Sequence, residues 1–354
     1  MADNAKGGIM QKRGFLKGTM LALAALTFLP GASLAQEITL RLHQFLPPQA
    51  TVPKHILKPW AQKIEEATGG KLKIEHFDAM ALGGKPGDLM DQAIDGTADI
   101  VMTVVGYTPG RFLKTEVFEL PFMMTDPIAT SKAFMDMVDT DLQAGEYKDV
   151  KVLGAWVHGP GVIHTKDPVN KIEDLKGMKL RGPTRVITDM LTELGAQPIG
   201  MPLPAIPEAL SKGVVNGTVI PWEVTPSIKL AELVKNHVEF GGKEALYTAT
   251  IVAVMNKAKY ESLPDDIRAA IDAESGQKLS EFAAQVMFDY DKPGRDIAVK
   301  NGNSIIQLDE TEVARWKEKA LPVTQRWIAS VKEKGIDGQA TIDQARALIT
   351  KYGG

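Results

Sequence analysis

One arginine offers the most direct chemistry in this sequence. Leu175-Lys176-Gly177-Met178-Lys179-Leu180-Arg181-Gly182 reads as a short buried strand, Met178 to Leu180, entered through Gly177. Arg181 falls where that strand ends, and Gly182-Pro183 turns the chain toward a helix starting near Thr184. A guanidinium at the carboxyl end of a strand, facing a crevice, suits planar two-point capture of a carboxylate. Spacing alone also allows an ordinary strand-end ion pair, the commoner fate of an arginine.

Other chemistries find little support. The six histidines, His43, His55, His76, His158, His164 and His237, are scattered and show no H-E-x-x-H or other metal-ligand spacing. There is no cysteine, hence no thiolate zinc site, disulfide or cysteine nucleophile. No G-x-S-x-G elbow, S-x-x-K or P-loop is present, and Gly83-Gly84-Lys85-Pro86-Gly87 lacks P-loop spacing. No acid/base pair stands out among the many carboxylates. The sequence therefore argues for binding over turnover. The expectation is a protein that is not an enzyme and uses neither a metal nor a cofactor.

The elements that must position Arg181 form an α/β pattern. Glu37–Phe45 alternates apolar and polar residues as a strand does, and it breaks at Leu46-Pro47-Pro48. A helix from Pro53 to Gly69 with Ile56, Leu57, Trp60, Ala61, Ile64 and Ala67 on one face, a strand at Leu72–Phe77 and a helix from Pro86 to Gly96 follow. Ala98–Val105 is nearly all apolar, as expected for a strand covered on both faces. Tyr107 and Phe112 follow its carboxyl end, where an open α/β sheet places ligand contacts or a lobe edge packs. A helix at Pro127–Val138 and a strand at Val150–Val157 come next. His158-Gly159-Pro160-Gly161 then reads as a crossing to a second unit, with strands at Val162–Thr165 and at Arg181.

Glu208–Lys212 closes a helix at Gly213, before Val214-Val215-Asn216-Gly217-Thr218, and Asp95-Gly96-Thr97 and the Asn216-Gly217-Thr218 run read as a helix-closing device shared by both units. Trp222, after the strand that begins near Val214, either stacks on a ligand or sits in the core. Tyr247–Met255 reads as a strand returning to the first unit, which makes a hinge. Residues 264–301 are helical with breaks near Gly276 and at Pro293-Gly294, and Glu312–Lys334 and Thr341–Lys351 are further helices.

With 354 residues, 44% of them hydrophobic, the chain is long enough for two lobes with cores of their own. Lys12, Arg13 and Lys17 precede an apolar run, Met20 to Leu29, that is short for a bilayer span. Ala32-Ser33-Leu34-Ala35 offers an A-x-A cleavage site, so residues 1–35 read as a signal peptide removed before Gln36. Gln11-Lys12-Arg13-Gly14-Phe15-Leu16-Lys17 resembles a twin-arginine signal with Lys in place of the first Arg, which leaves Sec and Tat export both open. Cleavage takes away four basic residues and Asp3, moving the formal charge from −3 to −6. A mildly acidic body without a basic stripe excludes nucleic acid as a partner. An anion must then be held by a local site. The mature protein is expected in the periplasm, not inserted in the membrane, and a monomer.

The chain resembles the solute-binding subunits of TRAP transporters, the DctP-type family. The resemblance rests on Gly96-Thr97-Ala98-Asp99-Ile100, Phe118-Glu119-Leu120-Pro121-Phe122 and the D-L-K-G-x-K-x-R run Asp174–Arg181. Leu210 to Pro221 with its G-V-V-N-G core, Val254-Met255-Asn256-Lys257 and Leu263-Pro264 add to it. It implies a two-lobed periplasmic binding fold, each lobe a mixed sheet flanked by helices, with a long helix bracing both. The expected division is 36–160 with 250–287 as lobe I and 161–249 with 288–354 as lobe II. It also implies capture of an organic acid by lobe closure, delivery to a small and a large permease subunit driven by an ion gradient, and Arg181 as the carboxylate-binding arginine.

Many members of the family carry a second arginine in the strand before D-L-K-G. Here the matching run, His158 to Thr165, has none. The ligand expected is a monocarboxylate with an apolar or aromatic body, or a 2-oxo acid. Phe45, Tyr107, Trp156 and Trp222 would face it, and Asn216 and Glu223 would meet a hydroxyl or oxo group. Gln44 and His158, at strand ends, complete the candidate set. Rival readings are a binding protein for an ABC importer or a sensory receptor and, less favoured, a periplasmic enzyme.

Overall fold

A computed structural model describes residues 37–354. The expected signal peptide and the start at Gln36 lie outside the described residues. Strands β1 (Ile38–Gln44), β2 (Leu72–Phe77), β3 (Ile100–Val104) and β4 (Val150–Val157) alternate with helices α1 (Lys58–Ala67), α2 (Leu89–Asp95) and α3 (Pro127–Met137). A wide helical turn, Val52–Leu57, leads into α1, whose inner face is Trp60, Ala61 and Ile64. Gly96 ends α2 at φ +80°, a conformation that favours glycine. The Asp126 carboxylate accepts from the Ala129 N–H and starts α3 at Pro127.

After β4 the chain crosses at His158–Gly161. It then forms β5 (Val162–Thr165), β6 (Lys179–Gly182), α4 (Arg185–Glu193), β7 (Gln197–Gly200), α5 (Ile206–Ser211), β8 (Gly217–Ile220), α6 (Leu230–Leu233) and β9 (Asn236–Phe240). It returns as β10 (Thr250–Asn256), which lies antiparallel between β3 and β4. Helices α7 (Lys257–Ser262), α8 (Asp265–Ala273) and α9 (Gln277–Lys300), strand β11 (Ser304–Leu308), and helices α10 (Glu310–Lys332) and α11 (Gly338–Lys351) complete the fold.

The strands form two mixed sheets, ordered β2-β1-β3-β10-β4 and β11-β9-β5-β8-β6-β7. The fold is therefore α/β with two lobes. Three passages join the lobes: the His158–Gly161 crossing, the segment before β10, and α9. Helix α9 packs on α3 and β4 of the first lobe and on β11 of the second. It continues through Pro293, so the helix does not break at Pro293-Gly294. Packing against both lobes outweighs the missing N–H of Pro293. Gly294 lets the backbone of Trp222 come against the helix, since a Cβ there would sit 2.1 Å from the Trp222 carbonyl oxygen.

Three expectations need correction. The helix before β8 closes at Gly213 (φ +69°) as expected, just after α5 ends, but Asn216-Gly217-Thr218 is not itself a helix-closing device: Gly217 opens β8 against the His164 carbonyl. Ala67 is exposed and does not join the inner face of α1. Helix α11 packs on α3, so residues 338–351 sit with the first sheet instead of extending lobe II to 354.

Candidate functional site

Arg181 lies at the carboxyl end of β6 and is 1% exposed. Its Nε–H donates to the Met201 carbonyl (2.7 Å), Nη1 to the Val219 carbonyl (3.1 Å) and Nη2 more weakly to the Tyr107 hydroxyl (3.4 Å). Those contacts orient the guanidinium without neutralising it. The protein groups that offset its burial are two phenols, Tyr107 and Tyr247, with no carboxylate among them, and burial lowers its pKa. An ordinary strand-end ion pair would show a carboxylate here.

The Tyr107 hydroxyl also accepts from Leu203 N–H (3.0 Å), and its ring meets Phe45 edge-on, centroids 5.4 Å apart. Phe45 therefore steadies Tyr107, which joins Arg181 across the lobes. Beside them opens a cavity of about 400 Å³ lined by Tyr107, Pro109, Pro183, Thr184 and Met201 among others. A smaller cavity of about 280 Å³, beside Trp222 and Phe240, shares none of its lining with this one. The buried guanidinium's partners, Tyr107 and Met201, mark the first as the site of interest.

Several buried polar groups near Arg181 lack partners. The Tyr247 hydroxyl has none, and burial holds its pKa far above the usual phenol value. Its ring fits because residue 161 is glycine: a Cβ there would lie 2.0 Å from the ring. Thr218, paired in register with Arg181, has a buried hydroxyl without a partner. Glu119 Oε1 accepts from Thr250 N–H (3.0 Å) and Thr250 Oγ1 (2.7 Å), while its Oε2 is unpaired. Burial pushes the Glu119 carboxyl up to about 7, against the pull of Thr184 and Thr250. The Thr184 hydroxyl is near enough to exert that pull but outside hydrogen-bonding geometry.

The other expected site residues divide. Gln44 is spent locally: Nε2 donates to the Leu46 carbonyl (2.7 Å) and Asp78 (2.8 Å), and Oε1 accepts from Leu46 N–H. Asn216 sits at the amino end of β8, where its Oδ1 accepts from Lys179 N–H (3.0 Å), at the start of β6 and away from the Arg181 end. His158 uses both ring nitrogens on backbone: Nδ1 faces the Gly159 carbonyl (2.6 Å) and Nε2 accepts from Ala249 N–H (3.0 Å). Burial drops its pKa to about 4, so it is a neutral strut of the crossing.

Trp222 is buried against the rings of His164 and His237, its indole N–H donating to Glu239 (2.9 Å). Trp156 is wholly buried near the end of β4 with its indole N–H unpaired. Glu223 lines a different cavity, about 270 Å³, with Thr51 and Tyr290. Burial, and Asp291 beside it, push its carboxyl up to about 8. Sequence reasoning named neither Glu119 nor Tyr247 as site residues. A lone carboxylate in the apolar run Val117-Phe118-Glu119-Leu120 was the available signal. Among the described residues no cluster of three or more His, Asp or Glu is placed to hold a metal ion, and no helix is long and apolar enough to cross a membrane.

Residues 43–330 match the model of the bacterial extracellular solute-binding proteins, family 7. A TRAP solute-binding protein from Rhodoferax ferrireducens, solved with copurified benzoate, is 47% identical over 89% of this chain and 98% of its own, with a TM-score of 0.87. A marine-metagenome TRAP solute-binding protein specific for aromatic acids, solved with 3-hydroxybenzoate, is 46% identical over 90% of this chain and 100% of its own, TM-score 0.88. A third, from Bordetella bronchiseptica with bound (R)- and (S)-mandelate, is 30% identical over 89% of this chain and 99% of its own, TM-score 0.81.

Proposed function

This chain belongs to the bacterial extracellular solute-binding proteins of family 7, and we propose that the organic acid it captures is an aromatic monocarboxylate. Family membership makes it a TRAP transporter solute-binding protein that works outside the cytoplasm with TRAP permeases, and not an enzyme. The identity of the acid, the residues that hold it, export by a cleaved signal peptide and a monomeric state belong to the proposal.

The observation that carries the reading is Arg181: a buried guanidinium, oriented by two backbone carbonyls and a phenol, that no protein carboxylate compensates. A buried charge left uncompensated is costly, and a ligand carboxylate supplies what is missing. The Tyr247 and Thr218 hydroxyls are spare donors for the same carboxylate. The apolar walls of the adjoining cavity, with Pro109, Pro183 and Met201, suit a ring better than a second charge. The three relatives described above were solved with benzoate, 3-hydroxybenzoate and mandelate, all aromatic monocarboxylates.

Closure follows from where the ligand's contacts come from. Arg181 and Thr218 belong to the second sheet, whereas Tyr107 and Glu119 come from the first lobe. A ligand touching both favours the closed form by the contacts it makes only there. The test is calorimetric titration with benzoate, mandelate, succinate and pyruvate. Tight binding of the aromatic acids alone is the expected result, and preference for succinate or pyruvate would refute the aromatic reading.

A further inference from the structure

Carboxylate capture at Arg181 leaves one buried carboxyl of the cleft unexplained. Glu119 is 1% exposed. One of its oxygens ties down Thr250 at the start of β10, and the other, Oε2, has no partner. The Thr184 hydroxyl is likewise buried and unpaired. It is not needed as a helix cap, since no side-chain cap bond forms at the start of α4. Gly106 places the two groups together: a Cβ at that position would stand 2.4 Å from Thr184 Cγ2 and 3.5 Å from Glu119 Oε2. Gly106 and Thr184 line the same cavity as Tyr107 and Met201, which hold Arg181. The Tyr247 phenol is near enough to feel the charges of both Arg181 and Glu119. An unsatisfied buried acceptor is tolerated where a ligand completes it.

We propose that Glu119 and Thr184 form a second polar subsite that takes a hydroxyl group on the body of the captured acid. The ligand O–H donates to Glu119 Oε2, and the Thr184 hydroxyl donates back to the ligand oxygen. The favoured ligands are then hydroxylated aromatic acids in preference to unsubstituted ones. This inference rests on the aromatic-acid reading of the Arg181 site and adds the group that selects among such acids.

The test compares benzoate with its 2-, 3- and 4-hydroxy and fluoro analogues by calorimetry, on the wild-type protein, Glu119→Gln and Thr184→Val. Fluorine is close in size to hydroxyl but cannot donate. Glutamine keeps an oxygen for Thr250 and removes the acceptor that faces the ligand. The wild type should bind one hydroxy isomer about tenfold or more tighter than its fluoro analogue. Both variants should shrink that ratio at least fivefold. A wild-type ratio near one for all isomers, or a ratio unchanged in both variants, overturns the subsite while leaving the aromatic-acid reading intact. A ratio lost in Thr184→Val alone assigns the hydroxyl to Thr184 and removes Glu119 from the role. Should Glu119→Gln not fold, the wild-type ratio and Thr184→Val decide. Failure of the wild type to bind any of these acids overturns both readings together.

Discussion

Arg181 on β6 and His164 on β5 are both buried polar residues of the second sheet, but their hydrogen bonds end in different places. His164 Nε2 faces the Ile220 carbonyl (3.1 Å), so it carries the proton, and Nδ1 accepts from His237 Nδ1–H (2.6 Å). His237 Nε2 in turn accepts from Asn303 Nδ2 (3.0 Å). Next to the pair, the Trp222 N–H reaches Glu239, which Arg295 neutralises. Every ring nitrogen in this network has a partner. Around Arg181 the network stops short, with Tyr247, Thr218, Thr184 and Glu119 Oε2 all unpaired. Buried polar groups cost stability unless partnered. A closed network thus holds the fold, whereas the unfinished one around Arg181 is, in the proposal above, completed by the captured acid.

The sharpest way to break that comparison is Arg181→Ala. Truncating one side of a buried charge pair costs about 2–5 kcal/mol of binding, roughly 30- to several thousandfold in Kd. Titration with the best aromatic acid should show that loss, with a smaller change in Tm. A Kd within threefold of wild type would remove Arg181 from the site.

His237→Leu is the counterpart in the finished network. It strands His164 Nδ1, while the Asn303 amide keeps the Ala231 and Val234 carbonyls, so it should cost about 1–3 kcal/mol of stability and leave Kd nearly unchanged. Burial drops the His237 pKa to about 4 and holds His164 well below the usual histidine range. The unfolded chain therefore takes up protons before the folded one. Stability from the pair is complete above about pH 6.5 and falls as pH drops toward 4. Wild-type Tm should follow that course, and less steeply in the variant. An equal loss of binding would mean that both clusters serve the ligand.

Asn216→Ala separates the two ends of β6. The amide leaves Lys179 N–H without its acceptor, at about 1 kcal/mol, while Arg181 at the other end keeps its geometry. Thermal melting should register the change and ligand titration should not. A tenfold weaker Kd would return Asn216 to the ligand site.

The sequence was legible where a local signal matched the final packing. Apolar runs bounded by Gly and Pro located β1 to β6 and β10, and Leu180-Arg181-Gly182 located the buried cation. Strand β7 was unread because Pro198 argues against a strand, yet it pairs only with β6, at the sheet edge, where proline is tolerated. Gln44, Asn216 and His158, read from the sequence as ligand residues, bond neighbouring backbone in the structure. Polar residues at strand ends serve either a ligand or a neighbouring backbone, and only the three-dimensional partner separates the two. Glu119 and Tyr247 reach Arg181's cleft from chain segments 60 or so residues away on either side. No local pattern announces such a meeting.

Glu223 offers the smallest and most conditional effect, at a seam that resembles neither cluster fully. Its carbonyl accepts from Thr51 Oγ1 of the first lobe (3.3 Å), and its N–H donates to Asp291 of α9 (2.9 Å). Its own Oε2 is unpaired, like Glu119 Oε2, but it opens on a separate cavity. Burial raises the Glu223 carboxyl to about 8 and Asp291 to about 7. The folded protein thus keeps protons that the unfolded chain releases near pH 4–5. Stability from this seam is complete below that range and falls as pH rises toward 8. Glu223→Gln mimics the protonated form at every pH. It should match wild type at pH 5 and melt about 1–3 °C higher at pH 8.5, with Kd for aromatic acids unchanged at pH 5. A weaker Kd at pH 5, where both proteins carry a neutral group at 223, would place Glu223 in the ligand's shell and make the seam part of the Arg181 site.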